Sequence, residues 1–90
     1  MILVLNILIV EDEVNLGITL EEYLSGLGHQ CVWAKTGAEA RELFAIRKPN
    51  LVLMDIGLPD TSGLVLAKAF RLIRKDFVLL FLSALNDPET

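Results

Sequence analysis

The stretch Leu51-Val-Leu-Met-Asp-Ile-Gly-Leu-Pro-Asp-Thr-Ser-Gly63 reads as a strand that runs into an acid and then a rigid loop. Leu51 to Met54 is a continuous apolar run with no polar alternation, the pattern of a strand covered on both faces. Asp55 follows it directly, and Pro59 and Gly63 punctuate the loop beyond.

The same kind of run occurs three more times, at Ile7 to Val10, Cys31 to Ala34 and Phe77 to Leu82. Helical patterns lie between them. In Val14 to Leu27, the residues Leu16, Leu20, Tyr23, Leu24 and Leu27 fall on one side at helical spacing, with Glu21 and Glu22 opposite. Gly28 suits the left-handed position just past that helix. Thr36-Gly-Ala-Glu39 is a capping-box pattern, and it opens a second helix with Ala40, Leu43 and Phe44 as its apolar face. Pro49 stops that helix. A third helix starts near Ser62 or Gly63, with Leu66, Phe70 and Ile73 on one face and Lys68, Arg71 and Arg74 more exposed.

The resulting order, βαβαβαβ, calls for a parallel sheet with helices on both faces and right-handed crossovers. In such sheets the working groups gather at the carboxyl ends of the strands. Three places qualify: Glu11-Asp12-Glu13 after the first run, Asp55 after the third and Ser83 after the fourth. Singly, each has an ordinary structural explanation. An Asp after a strand commonly closes a turn, acids in a first helical turn suit the helix dipole, and a Ser caps helices. If the first and third strands are neighbours, their carboxylates converge in a single pocket, and the three places together are harder to explain as structural coincidence.

Three converging carboxylates repel one another and tend to retain protons. A hard divalent cation relieves this; Mg²⁺ takes oxygen ligands and binds through one or two carboxylates plus a phosphate. A carboxylate beside such an ion can attack a phosphoryl group, with Ser83 donating its hydroxyl to one phosphoryl oxygen.

Composition narrows the alternatives. Ninety residues make one small domain, 53% of them apolar. A formal net charge of −4 and scattered basic residues argue against direct nucleic-acid contact. The single Cys31 cannot form an internal disulfide. The opening MILVLNILIV is too short to cross a bilayer and lacks a basic leader, which makes a buried strand and a cytoplasmic location the expectation. His29 sits in a turn and reads as solvated or capping, and Cys31 and Trp33 read as packing residues at the first edge of the sheet.

At this point the residues resemble a known family. Ile7-Leu-Ile-Val-Glu-Asp-Glu13, the stretch from Leu51 to Gly63, and Leu80-Phe-Leu-Ser-Ala84 look like the three signature blocks of response-regulator receiver domains. Gly28-His29 and Ala34-Lys-Thr-Gly-Ala-Glu39 also fit, and the resemblance runs from about Asn6 to the last residue. It implies a flavodoxin-like doubly wound sheet and a two-component phosphorylation switch. Carried over by position, Asp55 resembles the phosphoacceptor and Asp12 the direct Mg²⁺ ligand. Glu11 resembles the acid that reaches the metal through water, and the Gly57 carbonyl the third protein ligand. Ser83 resembles the hydroxyl that contacts the phosphoryl group.

The implied partners are a sensor histidine kinase or phosphotransfer protein, and an output domain or partner if the chain is part of a longer one. The chain would catalyse at most its own phosphorylation and is not expected to be a turnover enzyme. Residues 1–90 match about four of the family's five βα units, so the expectation is a receiver domain shortened at its C-terminus. In the family the resemblance points to, the fifth strand carries a Lys that contacts the phosphate, and none of Lys35, Lys48, Lys68 and Lys75 matches it. The fourth run would then be an apolar edge, and self-association through it is expected.

Two other readings remain open at this stage. One is a receiver-like interaction or dimerisation module without phosphotransfer. The other is an aspartyl-phosphate phosphohydrolase, which typically carries a second Asp two residues after its nucleophile, where this chain has Gly57.

Overall fold

The computed structural model describes residues 3–82. Among them, four strands alternate with three helices: β1 (Asn6–Val10), α1 (Val14–Gly26), β2 (Gln30–Ala34), α2 (Gly37–Arg47), β3 (Leu51–Met54), α3 (Gly63–Ile73) and β4 (Val78–Phe81). The four apolar runs are the four strands. They pair in parallel in the order β2-β1-β3-β4, the flavodoxin-like arrangement.

The strand register sets the position of the site. Val10 pairs with Ala34 on one side and with Met54 on the other, so β1, β2 and β3 end level. β1, β2 and β3 each contribute side chains to two cores, as a doubly covered sheet requires, whereas β4 contributes only Leu79, to the core on the α2 and α3 face. Leu8, Val10, Val52 and Met54 face Ala40, Phe44, Leu66 and Phe70 of α2 and α3. Ile7, Ile9 and Leu53 face the other way, with Leu20 and Leu24 of α1 packed against them.

The helix termini follow local chemistry. Gly28, at φ 99°, takes the left-handed turn after α1. Thr36 accepts the N–H of Glu39 at 3.2 Å, while Glu39 accepts the N–H of Lys35 rather than that of Thr36, so the capping box closes one residue early. Lys48 adopts φ 49° as the C-cap of α2, ahead of the buried Pro49. Ser62 caps α3 by accepting the N–H of Leu64 at 3.1 Å.

Three apolar residues expected on helix faces are exposed. Tyr23 and Leu27 lie at 65% and 57% exposure, because α1 rests on the sheet through the narrow strip of Gly17, Leu20 and Leu24. Ile73 is also exposed, because the four-residue step from Leu66 to Phe70 continues to Arg74. The Arg74 guanidinium lies 5.5 Å from the ring centre of Phe44, and Arg71 donates to the Phe77 carbonyl at 2.7 Å. Both arginines therefore lay their stems on the core and are less exposed than the sequence pattern implies.

Candidate functional site

The acidic site begins where β1 ends. The Glu11 N–H donates to the Ala34 carbonyl at 3.0 Å, and the Asp55 N–H donates to the Val10 carbonyl at 2.9 Å. Sheet pairing thus continues one residue beyond the strands and carries Asp55 alongside Glu11. Glu11, Asp12 and Asp55 each offer a carboxylate oxygen, and these atoms lie within 4.8 Å of one another. Asp12 is exposed and Asp55 half-buried, whereas Glu11 is only 3% exposed.

Burial, chiefly, pushes the Glu11 carboxyl up from its ordinary 4.5 to about 7. The charges of Asp55 and Asp12 and a hydrogen bond with the Asp55 side chain act in the same direction, and the Glu13 N–H opposes them. This is the repulsion expected of converging carboxylates. The donors are all oxygen, which suits a hard cation such as Mg²⁺.

Glu13 has a different job. It is the N-cap of α1, accepting the N–H groups of Asn15 at 3.2 Å and Leu16 at 2.7 Å, and it is not part of the carboxylate cluster. The Asp55 loop is closed by the Gly63 N–H donating to Ile56 at 2.7 Å and by an antiparallel bridge between Gly57 and Ser62. Gly57 donates its N–H to the Asp55 carboxylate at 3.3 Å. Gly63 is required by close approach, since a Cβ there would collide with the Asp55 carbonyl. Gly57 has open space around it.

Glu11, Asp12, Asp55 and Gly57 are thus brought to one rim. Ser83, the fifth expected residue, lies outside the described residues. His29 accepts the Leu5 N–H at 3.1 Å through Nδ1, a backbone-capping role. Sequence reasoning passed over Asp60, whose carboxylate accepts the N–H groups of Gly37 at 2.8 Å and Ala38 at 3.1 Å and so caps α2 from another loop. Its sequence signal was only that of a turn acid, because its partners are 23 and 22 residues away.

The response regulator receiver domain pattern matches residues 7–90. The chain is 36% identical over 84 residues to the uncharacterized transcriptional regulatory protein YbdJ of Bacillus subtilis, covering 93% of this chain and 37% of that protein. Among solved structures, the non-phosphorylated HemR receiver domain of Leptospira biflexa aligns with TM-score 0.84 and 39% identity. That alignment covers 93% of this chain and 68% of that one. The BeF3-activated N-terminal receiver domain of Klebsiella pneumoniae RstA aligns with TM-score 0.83 and 31% identity, over 93% and 71%. Set against YbdJ, the chain spans little more than a third of the relative's length. Among the described residues, no helix is long and apolar enough to cross a membrane.

Proposed function

The chain belongs to the response regulator receiver domain family, and from that premise we propose that Asp55 accepts a phosphoryl group from a sensor histidine kinase or phosphotransfer protein. The observation that carries this reading is the convergence of Glu11, Asp12 and Asp55 within 4.8 Å at the level carboxyl ends of adjacent strands.

In this reading an Asp55 carboxylate oxygen attacks the phosphorus of a phosphohistidine. The new P–O bond forms as the P–N bond breaks, and the electron pair returns to the imidazole nitrogen. Asp12 and Asp55 would hold Mg²⁺ directly, Glu11 through water, and the Gly57 carbonyl would supply the third protein ligand. Bound there, Mg²⁺ neutralises charge on the transferring oxygens. Ser83 would donate to one of those oxygens. The chain acts as acceptor and self-catalyst, in the cytoplasm, and its phosphorylation is read by an output domain or a partner protein.

The test is binding of beryllofluoride with Mg²⁺, followed by Trp33 fluorescence, for the chain and for Asp55→Asn. Saturable, Mg²⁺-dependent binding by the parent and none by the variant is the expected result. A folded parent that binds nothing would end the phosphoacceptor reading.

One observation favours a second reading, an interaction module. β4 lies at the sheet edge among the described residues, with Val78, Leu80 and Phe81 at 57%, 52% and 39% exposure. An exposed apolar edge strand is a template for pairing with a second copy. Light scattering at micromolar concentration should show a dimer or larger species, and a sharp monomer would exclude it.

A further inference from the structure

The acidic turn is gripped from a side that the phosphotransfer reading leaves unused. Trp33 sits on β2, paired with Ile9, and its side chain belongs to the core on the α1 face. From there the indole Nε1–H donates to the backbone carbonyl of Glu11 at 2.8 Å, spanning 22 residues of chain. Its ring lies against α1 at Gly17, where a Cβ would collide with the indole. The Lys35 ammonium stands 4.8 Å from the ring centre, so the ring is packed by a helix backbone and attracted by a cation.

Glu11 is consequently held at three points. Its N–H is bonded to Ala34, its carboxylate accepts the Glu13 N–H at 3.0 Å, and its carbonyl accepts the indole. The first two bonds belong to the strand and to the turn itself. The third comes from a side chain that offers no ligand atom to a cation. Because the Glu11 carbonyl is part of the Glu11–Asp12 peptide plane, its orientation bears on the direction of the backbone at both acids.

We propose that Trp33 is a positioning residue for the acidic site. Its indole hydrogen bond fixes the Glu11–Asp12 peptide so that both carboxylates face Asp55, and Gly17 supplies the space that admits the ring. The inference rests on reading that site as a cation site. It differs from ordinary core packing in requiring the N–H, and not only the ring.

The experiment measures Mg²⁺ alone, by isothermal titration calorimetry at pH 8, on the 90-residue chain, on Trp33→Phe and on Gly17→Ala. Urea denaturation in EDTA establishes that each is folded. Phe keeps a ring and loses the donor; Ala at position 17 pushes the ring away with the donor intact. Mg²⁺ affinity should fall about tenfold in folded Trp33→Phe, the lower end of what outer partners of metal ligands contribute. Gly17→Ala should move affinity in the same direction, and it decides the question if Trp33→Phe does not fold. Unchanged affinity in the folded variant, with only the urea midpoint moved, would reduce Trp33 to packing and leave the site reading intact. A folded parent that binds no Mg²⁺ would overturn both.

Discussion

Phe44 of α2 and Phe70 of α3 stack with ring centres 4.1 Å apart and planes 3° from parallel, and Phe77 meets Phe44 edge-on at 5.1 Å. This cluster joins the two helices beneath the sheet and places the start of α3, and with it Gly63, against the Asp55 carbonyl. The rings are almost fully buried, so truncation leaves a cavity. Phe70→Ala should cost about 3–5 kcal/mol. Small domains have only about 5–15 kcal/mol in total, so urea denaturation should show a large loss or outright unfolding.

The two loop glycines should separate cleanly. Gly63→Ala forces a methyl group into the Asp55 carbonyl and should destabilise by about 1–3 kcal/mol, the usual range for overpacking. Gly57→Ala meets open space at an ordinary φ and should stay within about 0.5 kcal/mol. Paired chemical denaturation curves check both; equal effects would contradict the close approach at Gly63.

Glu11 makes the metal-free protein less stable as the pH rises. Its carboxyl ionises near 4.5 when unfolded and near 7 when folded, so between these values the folded state holds the extra proton. The stabilisation is complete below 4.5 and is lost as pH climbs through 7. Denaturation in EDTA at pH 5 and pH 8 should show this decline in the parent and a flatter profile in Glu11→Gln.

The same proton competes with a cation. Mg²⁺ binding must displace it, so affinity should strengthen as pH rises from about 6 to 8, and binding below pH 7 should release protons. Calorimetry in two buffers of different ionisation enthalpy measures the release. No release at pH 6.5 would mean that Glu11 stays outside the bound cluster.

Asp60 should behave in the opposite sense. The Gly37 N–H, followed by that of Ala38, holds its carboxyl below the usual range. Its contribution is present above the ordinary carboxylate pKa and is lost as pH falls through the lower folded value. Asp60→Ala should lower the thermal midpoint at pH 7, and the gap to the parent should close on acidification.

Much of this architecture is legible in one dimension. Apolar runs at Ile7 and Leu51 mark buried strands because a doubly covered strand cannot alternate; the run at Phe77 also marks a strand, but Val78, Leu80 and Phe81 of β4 are exposed among the described residues. Thr36, Ser62 and Gly28 mark helix ends because capping satisfies neighbouring backbone groups. The face of α3 was misread at Ile73 because helical spacing alone does not say whether the third or fourth residue continues a contact. Arg74 took that place through its aliphatic stem.

The alternation of elements, and an acid at the end of each of two strands, can be read along the chain, since both depend on periodicity and on neighbours a few residues away. The place of β1 between β2 and β3, which turns two separated acidic positions into one cluster, is set by long-range strand pairing. The same long-range packing lets Asp60 cap a distant helix and Trp33 reach the Glu11 carbonyl. Those relationships join residues 22 or more apart, and strand pairing and ring packing create them only once the sheet has closed.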